Sequence, residues 1–207
     1  MLTKLQYISQ GLTEQEQYDN IYAVLDAGCQ WIQIRWKNQS EVNILKLSEK
    51  VKLLTDSYSA TLIINDYPTI AKTVDAHGVH LGLTDMNVQQ AKQLLHPNQW
   101  IGGTANSLQD VTKRINEQVT YIGLGPYKFT NTKDNLSPIL GLVGYQNILQ
   151  NIKNKDIPIY AIGGIELSDV QDIVNTGIYG VAMASAITKS KNKKEYIQKL
   201  NQILCNH

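Results

Sequence analysis

Two pairs of side chains in this sequence have the types and the spacing to assemble a diphosphate site. Asp66 and Asp85 each follow a short apolar run, one strand–helix unit apart. Two hard carboxylates on adjacent strands suit Mg²⁺, which takes one or two protein carboxylates and completes its shell with water and phosphate oxygens. Arg35 and Lys37 alternate along an extended segment, so both can lean to one side and neutralise an anion. The alternative is that the two aspartates are N-caps of the helices that follow them.

A second candidate feature is the loop within YIGLGPYKFTNTK, residues 121–133. An apolar run ends there at Gly125-Pro126, and Thr130, Thr132 and Lys133 follow. Hydroxyl groups and free backbone N–H groups donate hydrogen bonds to phosphate oxygens, and the lysine adds positive charge. The loop therefore suits a phosphate-rich ligand, and the alternative is an ordinary polar surface loop.

Short β-like runs alternate with helical patterns along the whole chain, which predicts a parallel sheet. The predicted strands cover residues 5–8, 31–35, 61–64, 78–81, 100–103, 121–124, 157–162 and 180–184. The predicted helices cover residues 14–27, 40–58, a short stretch from 68, 87–95, 107–118, 143–154, a helix capped by Ser168, and 193–204. Eight such units predict a (β/α)8 TIM barrel in one domain over 1–207, with a doubly wound open sheet as the alternative.

A barrel of this kind brings the candidate residues together, since chemistry sits at the carboxyl ends of its strands. Besides the residues above, Asn65, Thr104, Asn106 and Ser185 follow predicted strands. Gly163-Gly164 and the turn at 180–185 offer backbone N–H groups to a terminal phosphate, unless these glycines serve turn geometry alone. No nucleophile has a neighbouring base. We interpret His80 as packed within its strand, and His77, His96 and His207 as surface residues.

Composition narrows the classes of partner. The chain has 207 residues, 43% of them hydrophobic and 18% charged, with a formal net charge of +1. That balance argues against nucleic acid or a membrane surface bound through bulk charge. Cys29 and Cys205 form no disulfide framework or metal pattern, and we interpret Cys29 as inert core. No signal peptide or membrane-length apolar run is visible, so we expect a cytoplasmic protein that binds small molecules.

Several segments, in order and over nearly the whole chain, resemble the thiamine phosphate synthase family. They are QIRWK (33–37), IINDYPTIAKTVDAHGVHLGLTDM (63–86), IGGTANS (101–107), the 121–133 segment, AIGGI (161–165) and GVAMASAI (180–187). The resemblance implies a (β/α)8 barrel and a Mg²⁺-dependent transferase. Such an enzyme joins a hydroxymethylpyrimidine diphosphate to a thiazole phosphate or its 2-carboxy form, releasing pyrophosphate. The implied mechanism is dissociative: the pyrimidine C–O bond ionises to a carbocation, which the thiazole nitrogen captures.

The resemblance also implies roles for individual residues. The implied contacts to the pyrimidine diphosphate are Gln33, Arg35, Lys37, Asn65, Thr104 and Lys133. The implied Mg²⁺ ligands are Asp66 and Asp85. The implied contacts to the thiazole phosphate are Thr130, Thr132, Gly164, Ala184 and Ser185. The groups expected to act on the reacting diphosphate are Lys133, Arg35, Lys37 and Thr104, by charge and orientation and without a protein nucleophile.

The sequence departs from the family pattern in three places. Residues 104–106 read Thr-Ala-Asn where Ser-Thr-His is common, and Ala184 replaces a larger aliphatic residue. Residues 127–129 read Tyr-Lys-Phe in place of a more apolar run, which could alter loop motion or thiazole fit.

Two other functions are alternatives on the same barrel. The first is a thiazole tautomerase, which would lack the metal aspartates and carry a histidine where Pro126 stands. The second is a non-catalytic binder of phosphorylated ligands, which would need no paired carboxylates. The sequence leaves open the preferred thiazole form, the rate-limiting step and the oligomeric state, homo-oligomers included.

Overall fold

Eight parallel strands form a closed barrel in the computed structural model, which describes residues 2–129, 138–152 and 156–205. Each strand pairs with its neighbours in sequence, and β1 closes the ring against β8, with Leu5 opposite Val181. The strands are β1 Leu5–Ile8, β2 Trp31–Ile34, β3 Thr61–Asn65, β4 Gly78–Leu81, β5 Trp100–Ala105, β6 Tyr121–Leu124, β7 Ile159–Ile162 and β8 Gly180–Met183. The predicted (β/α)8 TIM barrel is confirmed, and the open-sheet alternative is wrong.

Helices follow the strands, as the alternating pattern predicts. They are α1 Glu14–Asp26, α2 Glu41–Ser57, α3 Pro68–Thr73, α4 Val88–Leu94, α5 Leu108–Asn116, α6 Gly141–Asn151, α7 Val170–Asn175, α8 Ser185–Lys189 and α9 Lys193–Cys205. The predicted Ser40 cap of α2 is confirmed, because its side chain accepts a hydrogen bond from the Asn43 backbone N–H. Such caps satisfy N–H groups that the first turn leaves without partners.

Two helix predictions near the carboxyl end of the chain need correction. Ser168 does not cap a helix, because it lies within a 3₁₀ turn, Leu167–Asp169, that leads into α7. The cap is Glu166, whose backbone N–H donates to the Asp169 carboxylate at 3.0 Å while its own carboxylate accepts in return. Helix α8, directly after β8, was not predicted, because five residues are too few to show a helical period.

The barrel interior has an aromatic layer toward the amino ends of the strands. The Trp31 ring packs edge-on against Tyr121 and Tyr160, with centroids 4.9 and 5.0 Å away, and all three residues are buried. Residues two apart on a strand share a face, so Gln33 lies above Trp31 and nearer the carboxyl ends. The interior is therefore apolar at one end and polar at the other.

Two smaller expectations concern Cys29 and membrane association. Cys29 is buried, as expected, and burial raises the pKa of its thiol to about 11. Among the residues that the structure describes, no helix is both long and apolar enough to cross a bilayer. The cytoplasmic location stays a prediction.

Candidate active site

A cavity of about 800 Å³, its open mouth included, lies at the carboxyl ends of the strands. Its walls include the predicted residues Gln33, Arg35, Asn65, Thr104, Gly163, Gly164, Ala184 and Ser185. They also include residues for which no role was predicted, among them Ile8, Gln10, Ile162, Ile165 and Met183. Thr130, Thr132 and Lys133 lie outside the described residues, and their predicted roles stay predictions.

Lys37 and Asp66 line a smaller cavity beside the main one, and Asn65 borders both. The Lys37 Nζ lies 2.7 Å from Asp66 Oδ2. Arg35 instead lines the main cavity, and its backbone N–H donates to Ser9 Oγ at 3.0 Å. Arg35 and Lys37 therefore line two different, adjoining cavities.

The aspartates do not act as the helix caps that the alternative required. Helix α3 has Tyr67 at its N-cap position, with no side-chain cap hydrogen bond. Helix α4 is capped by Asn87, whose side chain accepts from the Gln89 N–H at 2.8 Å. Asp66 and Asp85 are thus free of a capping role.

The structure instead holds the aspartates against each other. Asp66 has φ +68° and its backbone N–H donates to the His80 carbonyl at 2.9 Å. Its carboxyl group hydrogen-bonds to that of Asp85, and Asp85 Oδ2 also accepts from the Gly82 N–H at 2.6 Å. A Cβ on Gly82 would stand 2.6 Å from that same oxygen, so the close approach requires glycine.

This contact separates the two pKa values. Burial and the hydrogen bond to Asp85 raise the pKa of Asp66 to about 6, against the opposing effect of Lys37. Burial also acts to raise the pKa of Asp85, but hydrogen bonds from Asp66 and the Gly82 N–H leave it below its ordinary value. Two carboxyl groups held this close raise the pKa of one of them even beside the Lys37 ammonium group, and a bound cation would relieve their repulsion.

The donor set fits a divalent oxygen-loving cation. Within residues 2–129, 138–152 and 156–205, no group of three or more His, Cys, Asp or Glu side chains could hold a metal. A pair of carboxylates with water and phosphate oxygens is the usual arrangement for Mg²⁺. Asp66 and Asp85 therefore suit Mg²⁺ bound together with a phosphorylated substrate.

His80 is packed within its strand, as interpreted from the sequence, and it also faces the cavity. Its Nε2 lies 3.0 Å from Thr104 Oγ1, and its Nδ1 lies 3.1 Å from the Tyr121 hydroxyl. His80 lies inside a β run, so from the sequence we interpreted it as a buried core residue and did not assign it to the site.

Arg114 is a second residue that the sequence did not single out. It is 3% exposed, and its guanidinium donates to the carbonyls of Thr104 at 3.0 Å and of Gly82 at 2.8 Å. A Cβ on Gly103 would lie 2.7 Å from the Arg114 Cδ, which shows how closely the arginine passes the strand. Arg114 thus ties the end of β5 to the loop that carries Asp85.

The glycines after β7 do more than turn the chain. Gly163 and Gly164 have φ values of +98° and +67°. A Cβ on Gly164 would stand 2.7 Å from the Phe129 carbonyl, and the Gly163 carbonyl accepts from the Lys128 N–H at 3.0 Å. Glycine is required here for the close approach of the β6 loop as well as for the turn. Beside them Ser185 opens α8, where the first N–H groups have no partner within the helix.

The departures at 127–129 and 106 bear on how this loop is held. Tyr127 stacks on Tyr145 with centroids 5.8 Å apart, and the Lys128 Nζ lies 2.6 Å from Asp169 Oδ1. Asn106 donates from Nδ2 to the Gly125 carbonyl, next to the cis peptide bond between Gly125 and Pro126. The unusual side chains therefore anchor the start of the β6 loop.

Comparisons with known proteins agree with this geometry. The family model described as thiamine monophosphate synthase matches residues 6–187. The chain is 51% identical over 206 residues to the thiamine-phosphate synthase of Flavobacterium johnsoniae, covering 99% of this chain and 97% of the relative. It is 52% identical over 206 residues to that of Flavobacterium psychrophilum, covering 99% and 100%.

Solved structures are similar as well. Thiamine phosphate pyrophosphorylase from Pyrococcus furiosus superposes with a TM-score of 0.85 at 28% identity, covering 98% of this chain and 96% of that one. The 3-hexulose-6-phosphate synthase of Salmonella typhimurium gives a TM-score of 0.71 at 17% identity, covering 99% and 100%. The second likeness concerns the fold alone.

Proposed function

The chain belongs to the thiamine-phosphate synthase family, transferases of thiamine biosynthesis, and on that premise we propose its substrates and mechanism. It joins 4-amino-2-methyl-5-(diphosphooxymethyl)pyrimidine to 4-methyl-5-(2-phosphooxyethyl)thiazole, giving thiamine phosphate and pyrophosphate. The observation that supports this most directly is the set of groups at and beside two adjoining cavities at the carboxyl ends of the strands. A carboxylate pair and two cations lie on the early strands, and glycine backbone lies on the late strands.

The early strands bind the diphosphate end of the pyrimidine substrate. Arg35 lines the main cavity and Lys37 lies beside the aspartates, so each can approach a different part of a diphosphate. Lys37 already pairs with an anionic oxygen in the free protein, and phosphate oxygens are an equivalent partner for its ammonium group. Lys133 is proposed to add a third positive charge, as the family resemblance implies.

Asp66 and Asp85 are the residues that would hold Mg²⁺. The ion, when bound, supplies positive charge to the diphosphate oxygens and so stabilises the leaving group. The residues around it have a separate task. The Gly82 N–H and the Arg114 guanidinium keep the Asp85 loop in place, and the His80 carbonyl holds the backbone of Asp66.

The bond chemistry requires orientation and charge and no protein nucleophile. The bond between the pyrimidine methylene carbon and the diphosphate oxygen breaks, and its electron pair leaves with pyrophosphate. The thiazole nitrogen then donates its lone pair to the resulting carbocation and forms the new C–N bond. No proton moves in these steps, which agrees with a site built from cations, amides and hydroxyl groups.

The late strands bind the thiazole phosphate. Gly164, Ala184 and Ser185 all line the main cavity, and backbone N–H groups in such turns bind phosphate oxygens. Barrels of this kind commonly place a phosphate at the loops after their last two strands. Thr130 and Thr132 are proposed to complete this subsite with hydroxyl groups.

The test is an assay of purified protein with both substrates, with and without Mg²⁺, that measures thiamine phosphate and pyrophosphate. We expect both products in equal amounts and only when Mg²⁺ is present. Running the thiazole phosphate and its 2-carboxy form in parallel gives the preferred substrate. Binding of both substrates without product would contradict the proposal and favour a non-catalytic binder. Isomerisation of the carboxylated thiazole without condensation would favour the tautomerase.

A further inference from the structure

A chain of buried hydrogen bonds lies under the floor of the cavity. From Thr104 Oγ1 it passes to His80 Nε2 at 3.0 Å and from His80 Nδ1 to the Tyr121 hydroxyl at 3.1 Å. Gln6 Nε2 reaches the Tyr121 hydroxyl at 3.4 Å, and Gln33 Nε2 reaches Gln6 Oε1 at 3.5 Å. Both ends, Gln33 and Thr104, line the cavity, whereas Gln6 and Tyr121 are buried beneath it.

The neighbouring strands are shaped around this chain. A Cβ on Gly102 would stand 2.2 Å from the Tyr121 Cζ and 2.5 Å from its hydroxyl oxygen. A Cβ on Gly123 would stand 3.3 Å from the His80 Cε1. Glycine therefore occupies the strand positions that the hydroxyl and the imidazole need, and the polar groups form a built network within the barrel.

The contacts of Tyr121 favour one direction of proton donation along the network. The Tyr121 oxygen accepts an N–H from Gln6 at 3.4 Å, and burial raises the pKa of the phenol, so it keeps its proton. That proton is then available to His80 Nδ1, which leaves the imidazole hydrogen on Nε2 and directs it to Thr104. Since Thr104 Oγ1 already accepts, its own hydroxyl hydrogen is available to the cavity.

The other end of the network, at Gln33, presents a hydrogen-bond acceptor to the cavity. The Gln33 Nε2 amide group donates to Gln6 Oε1 at 3.5 Å. The Gln33 carbonyl oxygen is the part of the amide that remains to face a ligand. One wall therefore presents an acceptor and another presents a donor.

We propose that Tyr121 is a positioning residue that sets this polarity, so that Gln33 accepts from the amino group of the pyrimidine and Thr104 donates to an acceptor of the same substrate. The inference rests on the proposed function and extends it to substrate specificity. A 4-oxo pyrimidine diphosphate has the reverse pattern, with an acceptor in place of the amino group and an N–H in place of a ring acceptor. Buried polar groups that lose their partners reject such analogues strongly.

The chain offers a matched control for removal of the Tyr121 hydroxyl. Tyr160 belongs to the same aromatic layer and is equally buried, at 1% exposure. Its hydroxyl donates to the Thr3 carbonyl at 2.8 Å, away from the network. Tyr121→Phe and Tyr160→Phe therefore remove the same atom from the same layer, and only the first touches the network.

The experiment compares kcat/KM for the amino and the 4-oxo pyrimidine diphosphates in wild type and both variants. In Tyr121→Phe we expect the preference for the amino substrate to fall about tenfold, with the KM for the thiazole phosphate within about twofold of wild type. Tyr160→Phe is expected to keep the wild-type preference. An unchanged preference in Tyr121→Phe, or an equal loss in both variants, would overturn the proposal.

A second measurement reads the network in the wild-type protein itself. In wild-type protein labelled with ¹⁵N-histidine at pH 8, the His80 imidazole is expected to carry its hydrogen on Nε2, with Nδ1 as an acceptor. The signal is identified by its absence in His80→Gln. A hydrogen on Nδ1, or on both nitrogens, would overturn the proposed direction. If the wild-type protein makes no thiamine phosphate, the proposed function fails. The His80 tautomer and the relative binding of the two pyrimidine diphosphates still test the proposed hydrogen-bond network in that case.

Discussion

The two sides of the cavity mouth present different kinds of polar group. On β2 to β5 the functional atoms belong to side chains, and other side chains hold them in place, as Arg114 and His80 do for the ends of β4 and β5. On β7 and β8 the exposed polar atoms are largely backbone groups around Gly163, Gly164 and Ser185. Substitutions that remove side-chain atoms should therefore damage the side formed by β2 to β5. Substitutions that add a side chain to a glycine should damage the side formed by β7 and β8.

The two sides should therefore respond differently to mutation. Removal of a carboxylate or guanidinium leaves buried partners without a counterpart, which is costly. Removal of a hydroxyl beside backbone donors leaves those donors in place. A methyl group added to a glycine at positive φ, by contrast, displaces the backbone itself.

The largest effect is expected from the aspartate pair. Asp66→Asn or Asp85→Asn should lower kcat by about a hundredfold or more, because each removes an ionised oxygen ligand from the proposed cation site. The measurement is steady-state turnover across a range of Mg²⁺ concentrations. Asp172→Asn, an exposed carboxylate on α7, is the control. Wild-type rates in either variant would contradict the metal assignment.

The buried arginine tests the supports of the same side. Arg114→Met should lower the free energy of unfolding by about 3 kcal/mol, because three strand-end carbonyls and Glu117 lose a charged partner. Urea unfolding measures it. Lys113→Met is a matched control, since Lys113 is exposed and lies 3.9 Å from the same Glu117, and it should change stability by less than about 0.5 kcal/mol. A loss below about 1 kcal/mol in Arg114→Met would mean that these contacts are replaceable.

The glycine side is tested by adding a methyl group. Gly164→Ala should raise the KM for the thiazole phosphate about tenfold, since the new Cβ would crowd Phe129 and Lys128 at a left-handed φ. The KM for the pyrimidine diphosphate should change much less. Gly28→Ala carries the φ strain without crowding, because no atom lies within 4 Å of its Cβ position. Equal changes in both KM values would break the division between the two sides.

The smallest effect is expected at Ser185. Ser185→Ala should reduce kcat/KM for the thiazole phosphate only about two- to threefold, because the backbone N–H groups at the start of α8 remain. Steady-state kinetics with the thiazole phosphate varied is the measurement. Complete loss of activity would show that the hydroxyl itself has an essential part.

The fold and much of the cavity wall were predictable because their signals are local. Each strand ends where an apolar run meets polar residues or glycine, and parallel strands bring such ends together, as with Asn65 and Thr104. Arg114 was not predictable, because a cation in the last turn of a helix is normally exposed. Tyr121 and Gln6 were hidden inside β runs, where their long-range partners have no sequence pattern. Glu166 and not Ser168 is the cap, because the 3₁₀ turn already begins at Leu167.

The fit between Gly102 and Tyr121 has a consequence for how this protein can evolve. The two residues occupy neighbouring strands, and the space missing from one is filled by the ring of the other. A larger residue at 102 is tolerable only after the ring at 121 shrinks, and a smaller residue at 121 leaves a void beside position 102. A substitution at 102 or at 121 alone is unfavourable, whereas the two substitutions together are much less unfavourable. We therefore expect positions 102 and 121 to change together among related sequences.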